Sequence, residues 1–433
     1  MAGLLKGSPP LQTSPPDARV RMLVQSAQQL SVESRHDDAA HIWEQILLLD
    51  PNNSVALFRL GQFRHFRKDI PGALDLLEKA ALADPRNALI PLSLAVIFRS
   101  TGNAESEERA IERALAIDPQ CYPALLLRGE RFEKLGKQRQ AARTYIRALA
   151  YVNPEMDLSA DLKARVAHAR EVVEWNGREL RSYLDGVLAP LRQRHDGTTP
   201  KRFDHCLDVA TGKKVYVQQP VAFHYPELPA IQFFEDELFP WMAALESRTD
   251  ALRAEFLKVY REDTGMFAPY VDYPAGTPLN QFAELNRSPK WSALHLIRDG
   301  VRFPEACKRC PETVAAMEAV PKFDVEGFGP TVLFSTLAPG TRLPPHNSST
   351  NIRSVVHLPL IVPPHCGFRV GNETREWQEG KAWVFDDTIE HEAWNDSDKL
   401  RVILMIDVWN PLIQEAEREL VGTVIQRMRD YYN

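Results

Sequence analysis

Twelve histidines occur in the chain, and three of them, His346, His357 and His391, fall in one stretch of β-branched and aromatic residues together with Ser335, Arg353 and Arg401. A lone histidine is usually structural. A set of this kind on one sheet points instead to a site, because a neutral imidazole is both a proton shuttle and a good ligand for first-row metals. Arg401 lies ten residues beyond His391. Its planar fork could pair both oxygens of a carboxylate, which makes it the natural partner for a buried dicarboxylate. Asp386, Asp387, Glu390 and Glu392 crowd His391, and we read them as turn formers and hydrogen-bond partners rather than as ligands. His36, His41, His65 and His168 have no ligand-type partner one helical turn away and are read as surface or packing residues. Cys307 and Cys310 have the spacing of a zinc pair, but without a second pair or a nearby His no zinc site is expected. Dinucleotide, phosphate-loop and nucleophile-elbow motifs are not found.

The elements that must carry these residues begin after Gly329. Short β-rich runs separated by Pro, Gly, Asn and Asp predict strands at about 331–337, 352–362, 367–371, 381–386, 391–395 and 401–409. Strands at this spacing suggest a sandwich or a barrel-like jelly roll. Helical periodicity is expected at 240–259 and 311–319, and an amphipathic helix over 411–433. On a strand, Arg353, Val355 and His357 share one face, because side chains repeat every two residues.

The N-terminal third reads differently. Pro51, Pro85 and Pro119 each follow an Asp and succeed one another at intervals of 34 residues, with a looser Asn153-Pro154 after them. That period is the one of the tetratricopeptide helix pair. Small residues recur at the positions where its helices approach closely: Ala27, Gly61, Ala95 and Gly129 in the first helices, and Ala39, Ala73, Ala80, Ala114, Ala141 and Ala148 in the second. Ile46 and Glu107 stand where the pattern wants a small side chain. The expected organisation is a disordered Pro-rich tail (1–19), about four repeats (20–154), a helical cap or connector (155–200), a β domain carrying the site (201–410) and a C-terminal helix (411–433).

Composition narrows the partners. The chain has 433 residues, with 52 Lys and Arg against 58 Asp and Glu, a net charge of -6, and no long block of one sign. Nucleic acid and anionic membrane surfaces are therefore not expected partners. The reading is of a soluble, cytoplasmic protein. No apolar run reaches the roughly 20 residues of a membrane helix, the N-terminus lacks a secretory h-region, and the five cysteines are too scattered for a disulfide framework.

The stretches LFSTLAPGTRLPPHNSSTNIRSVVHLPLIVPP and GNETREWQEGKAWVFDDTIEHEAWNDSDKLRVILMIDVWNP together resemble the aspartyl/asparaginyl β-hydroxylase family of 2-oxoglutarate oxygenases. The likeness is clearest over about 330–411 and runs more weakly back to about 215. Animal-type members also carry tetratricopeptide repeats ahead of the oxygenase. The resemblance implies a double-stranded β-helix (jelly-roll or cupin-like) domain with flanking helices, behind an all-α solenoid. It implies Fe(II) held by His346 and His391, with 2-oxoglutarate and O2 as co-substrates. Ser335 and Arg401 would bind the far carboxylate of 2-oxoglutarate, and His357 would lie near the carboxylate next to the keto group.

Two positions stand out. An iron triad usually supplies a carboxylate two residues after its first His; here that residue is Ser348, and the resembling family also lacks the carboxylate. The family usually has a second Arg where this chain has Val355, and Arg353 is the candidate to replace it. The expected activity is a 2-oxoglutarate-dependent dioxygenase acting on the β-carbon of Asp or Asn in a protein or peptide held by the repeats. The rival readings are a repeat scaffold with a degenerate oxygenase domain, and a hydroxylase of a small molecule or lipid-linked group.

Overall fold

The computed structural model describes residues 18–153, 156–194, 201–277 and 280–432. The chain divides into two compact units, Met1–Thr199 and Pro200–Asn433. Most of the expected tail, Pro154 and the last part of the expected connector, 195–200, lie outside the described residues.

The first unit is a run of helix pairs: α1 (Ala18–Val32) with α2 (His36–Leu49), α3 (Ser54–Phe66) with α4 (Ile70–Ala83), α5 (Leu89–Ser100) with α6 (Ala104–Ile117), and α7 (Tyr122–Lys134) with α8 (Gln138–Leu149). The Asp-Pro pairs sit where the second helices end, since α2, α4 and α6 each stop at the residue before the Asp. Starts are marked by side-chain caps: Asn53, Asp69 and Asn103 accept from the N–H of Ala56, Gly72 and Ser106, each at 3.1 Å, which satisfies one orphan donor of each first turn. The small residues of the repeat are buried where helices touch. A Cβ on Gly61 would lie 2.8 Å from Leu77, and one on Gly129 would overlap the Tyr145 ring. Glu107, out of place in the repeat pattern, is buried and held between Arg99 and Arg131. The expected connector is one helix, α9 (Ala160–Arg194), packed on α7 and α8. Ala18 and Arg19, expected in the tail, belong to α1.

The second unit opens with α10 (Lys201–Ala210), α11 (Met242–Glu246) and α12 (Thr249–Glu262). The single helix expected over 240–259 is thus two, broken around Ser247 and Arg248. There follow β1 (Ala268–Pro269), β2 (Trp291–Arg298), β3 (Val301–Arg302), α13 (Pro304–Arg309) and α14 (Pro311–Glu318). Then come β4 (Val332–Leu337), β5 (Thr341–His346), β6 (Arg353–Ile361), β7 (Cys366–Val370), β8 (Glu373–Glu376), β9 (Trp383–Phe385), β10 (His391–Asn395), β11 (Arg401–Trp409) and α15 (Glu415–Tyr432). One antiparallel sheet has the order β1-β2-β4-β11-β6-β9, with β3 paired to β2, and the other has the order β5-β10-β7-β8.

The central strand β11, RVILMIDVW, is apolar on both faces because one face packs on the helices of the outer layer and the other on the second sheet. Val402, Leu404, Ile406 and Val408 join α12 and α14 side chains in one cluster, while Ile403 joins Leu343, Phe368 and Ala393 of the second sheet in another. α15 closes the unit by setting Val421 and Ile425 against Phe323, Ile352 and Trp409. Five strands lie outside the expectation from sequence. β1, β2 and β3 precede the β-rich region, β5 contains Pro344 and Pro345, and β8 is short and carries charged side chains.

Candidate active site

A cavity of about 490 Å³ opens between the two sheets. His346, the last residue of β5, and His391, the first of β10, are directly opposed in the antiparallel register, and their ring centroids are 4.1 Å apart. The register shifts just after His391, a bulge of the kind that re-aims a side chain at a site. The Nδ1 of His346 lies 2.8 Å from the carbonyl of Pro344, and that of His391 lies 3.0 Å from the carbonyl of Ile389. A carbonyl can only accept, so each Nδ1 carries the proton and each Nε2 keeps its lone pair. Burial holds both rings below the ordinary histidine pKa. For His346 the Pro344 carbonyl works against that shift, and for His391 the neighbouring His346 adds to it. Both are therefore neutral, as metal ligation requires.

The loop between the two histidine segments is tied to itself. Thr388 donates its N–H and hydroxyl to Asp386 Oδ1 at 3.0 and 2.6 Å, Asn347 donates to the Thr388 carbonyl at 2.8 Å, and the N–H of Ser348 donates to the Asp387 carbonyl at 2.9 Å. Burial pushes the Asp386 carboxyl up to about 6. Glu390 and Glu392 both pair with Arg369. The four acids around His391 thus serve the turn and its neighbours. Among the described residues no group of three or more His, Cys, Asp and Glu is arranged to hold a metal, so the donor set is the two imidazoles.

At another part of the cavity wall lies Arg401, 3% exposed, with Nε and Nη2 lacking any hydrogen-bond partner among the described residues. Its guanidinium sits 5.5 Å from the ring centroid of Trp377. Burial pulls its pKa down to about 10, which still leaves it charged at neutral pH. Ser335 accepts from the indole N–H of Trp291 at 3.2 Å, leaving its own hydroxyl proton to donate. His357 is boxed by Trp377, Phe368 and Phe385, with centroids at 5.3, 5.1 and 4.7 Å. Neither of its ring nitrogens has a partner among the described residues, and burial, with Arg401 adding to it, pushes its pKa well down. Buried polar atoms without partners are costly, so this concentration of donors fits a ligand that supplies the acceptors. The fit extends to both expected groups: two neutral imidazole nitrogens for Fe(II), and an unneutralised cation with a hydroxyl for a carboxylate.

Arg353 lines the same cavity, but its terminal nitrogens are engaged. Nη1 donates to Asp407 at 3.1 Å, and Nη2 donates to Ser348 Oγ at 2.7 Å and to Asp387. Among the described residues only Nε is left buried without a partner. Val355 shares the face of Arg353 and is 3% exposed, in an apolar cluster with Trp383, Phe385 and Ile403. The sequence reading missed Tyr270, Trp291, His295 and Asp407 as cavity residues. For Asp407 there was a signal: it is the one charge inside the apolar run between Val402 and Trp409.

The family model for Aspartyl/Asparaginyl beta-hydroxylase matches residues 246–411. The chain is 34% identical over 196 residues to the "Ornithine lipid ester-linked acyl 2-hydroxylase" of Rhizobium tropici, covering 44% of this chain and 65% of that protein. It is 34% identical over 182 residues to the human "Aspartyl/asparaginyl beta-hydroxylase", covering 42% of this chain and 22% of that protein. The chain therefore spans less than two thirds of these relatives. Among solved structures, a thermophilic TPR protein of Thermus thermophilus is similar at 19% identity and a TM-score of 0.30, over 41% of this chain and 97% of that one. No helix among the described residues is long and apolar enough to cross a membrane. Residues 246–411, behind their N-terminal tetratricopeptide-type helix pairs, belong to the Aspartyl/Asparaginyl beta-hydroxylase family.

Proposed function

We propose that this chain is an Fe(II)- and 2-oxoglutarate-dependent hydroxylase of a C–H bond. The observation that carries the reading is the pair of opposed, neutral histidines, His346 and His391, lining one cavity with Arg401, whose Nε and Nη2 have no hydrogen-bond partner among the described residues. The strand orders β4-β11-β6-β9 and β5-β10-β7-β8 support a double-stranded β-helix, whose two sheets enclose the site. Iron, when bound by His346 and His391, would supply O2 activation coupled to conversion of 2-oxoglutarate to succinate and carbon dioxide, with one oxygen atom entering the substrate C–H bond. Arg401 and Ser335 bind the far carboxylate, and His357, neutral in its aromatic box, offers a hydrogen bond without a second cation. Val355, where the resembling family usually has an Arg, supplies no second cation and packs in the apolar cluster with Trp383, Phe385 and Ile403.

The substrate in this reading is an Asp or Asn side chain of a polypeptide that the helix pairs help to hold, and the site of action is cytoplasmic. A second reading, a lipid-linked or small-molecule substrate, is favoured by the Rhizobium relative, whose name is that of a lipid acyl hydroxylase and of which this chain spans more than it does of the human protein. The test is succinate release from 2-oxoglutarate under air with added Fe(II), comparing the wild type with His391→Ala. Activity retained in the variant would defeat the assignment. A one-oxygen mass gain sought in peptides and in lipid extracts of the same lysate separates the two substrates.

A further inference from the structure

We propose that Gln218 is a positioning residue of the metal site: its amide clasps the two loops that carry His346 and His391 and so fixes how the two imidazoles stand to each other. The inference rests on the proposed function in taking those histidines as the metal ligands.

His346 ends β5 and leads into the loop 347–352, while the loop 386–390 leads into His391 at the start of β10. Among the described residues the donor set is the two imidazoles, so metal affinity leans on how these two loops are held. A segment from earlier in the unit lies across both. The N–H of Gln219 donates to the Thr388 carbonyl at 2.8 Å, and those of Val221, Ala222 and Phe223 donate to the carbonyls of Ser348 and Ser349 at 3.0 Å each. At Gln218 one side chain spans the gap. Its Nε2 donates to Asp386 Oδ2 at 2.5 Å and lies 3.4 Å from the Pro229 carbonyl, and its Oε1 accepts from Asn351 Nδ2 at 2.9 Å.

Both ends of this link are anchored. Asp386 is fully buried and holds Thr388 through Oδ1. Asn351 is fully buried, exchanges hydrogen bonds with the N–H and carbonyl of Tyr225 at 2.8 Å each, and its own carbonyl accepts from Asn410. The chemistry calls for an amide between them. The Asp386 carboxylate can only accept, and Asn351 presents its NH2 group because its Oδ1 already takes the Tyr225 N–H. Position 218 must therefore offer one donor and one acceptor. Gln218→Ala removes the link, and Gln218→Glu sets one carboxylate against another. Adding Asp386→Asn to Gln218→Glu restores it, with donor and acceptor exchanged at the 386 end and the bond to Asn351 kept.

The test titrates the full-length protein under nitrogen with Co(II), which stands next to Fe(II) in the affinity order and reports its own coordination through its visible d–d bands. Gln218→Ala and Gln218→Glu should each weaken Co(II) binding by about tenfold or more and alter the bands, while Gln218→Glu with Asp386→Asn should return both toward the wild type. A merely structural side chain would lower the melting temperature and move neither readout. Should Gln218→Ala fail to fold, Gln218→Glu compared with the double variant carries the test. Wild-type affinity and bands in Gln218→Ala overturn the proposal, as does a double variant that binds no better than Gln218→Glu alone. His391→Ala separates this from the reading beneath it. Co(II) held equally by the wild type and by His391→Ala refutes the ligand assignment and the proposal with it, whereas Co(II) lost in His391→Ala and kept unchanged in Gln218→Ala refutes the proposal alone.

Discussion

Arg401 is a buried cation, two of whose guanidinium nitrogens have no partner among the described residues, and such a group should weaken the ligand-free protein. Burial lowers its pKa from the ordinary arginine value to about 10, a fall equivalent to about 3 kcal/mol of destabilisation borne by the charged form. Because the folded value is the lower one, the unfolded chain binds the proton more tightly. The whole cost is therefore present at any pH below about 10 and is relieved only as pH rises above it. Neutral pH is thus the right condition. Arg401→Met keeps an aliphatic stem against Trp377 and removes the charge, so the ligand-free variant should be as stable as the wild type or more stable, by up to about 3 kcal/mol. The ligand response should invert. With 2-oxoglutarate at about a hundred times its Kd, and with Fe(II) added under nitrogen, the wild type should gain about 2.7 kcal/mol. For a unit of this size that is a rise in Tm of roughly 5–10 °C, and the variant should gain almost nothing. Tryptophan fluorescence is a suitable reporter, since Trp241, Trp291, Trp377, Trp383, Trp394 and Trp409 lie in the second unit and only Trp43 and Trp175 in the first. An Arg401→Met protein less stable than the wild type by more than about 1 kcal/mol, and still raised by 2-oxoglutarate, would refute the reasoning and make the guanidinium structural.

Further expectations concern other parts of the molecule. His346→Ala and His391→Ala should each lose Fe(II) binding, read by metal analysis after gel filtration, while keeping the wild-type circular dichroism spectrum; iron retained at wild-type stoichiometry would contradict the ligand assignment. His295 is held neutral by burial, with Arg298 assisting, and its pKa is pushed down to about 4. The unfolded chain then binds the extra proton between the ordinary value near 6.5 and about 4, so stability should fall across that window by up to about 3 kcal/mol. His295→Leu should flatten that part of the urea stability profile, and equal slopes in the two proteins would count against it. Gly129→Ala brings a methyl group against the Tyr145 ring, which is also anchored by its hydroxyl to Glu133 at 2.5 Å. The overpacking should cost about 1–3 kcal/mol, seen as a lower melting temperature in the 222 nm signal. Gly102→Ala is a useful contrast, since that residue has φ +74° and open space around it, so the cost there should be backbone strain of about 1 kcal/mol.

The helix pairs were legible because each of their signals is local. The 34-residue interval, the Asp-Pro endings and the small residues at the close approaches follow from how two short helices touch, and Ala27, Ala73, Ala80, Ala95 and Ala148 are each fully buried at those contacts. β4 and the strands from β6 onward, β8 apart, were legible for the same reason, being runs of the right period between turn residues. β5 was not, since two of its six residues are prolines. Its place is secured by pairing with β10, where Ala393, Trp394 and Asn395 stand opposite Leu343, Arg342 and Thr341. β2 was missed because its support comes from β4, more than 30 residues away in the chain.

The residue types at the candidate site were likewise readable, since His346, His357, His391, Ser335 and Arg401 stand out by chemistry and by resemblance. Their electrostatic states were not. Whether an imidazole is neutral, or a guanidinium is spent or free, depends on which groups the fold brings within hydrogen-bonding distance. Arg353 and Arg401 look equivalent in the sequence. In the folded chain Arg353 meets Asp387 and Asp407, 34 and 54 residues away, and is neutralised, while two nitrogens of Arg401 meet no acceptor among the described residues. The sequence by itself pointed to helix pairs followed by a β-strand domain, because periodicity and residue chemistry are properties of short stretches, and through its resemblance to a family it named the candidate ligands. Only the tertiary structure decided which charges are cancelled and which are left for a ligand, because electrostatic pairing acts between groups that are close in space and distant along the chain.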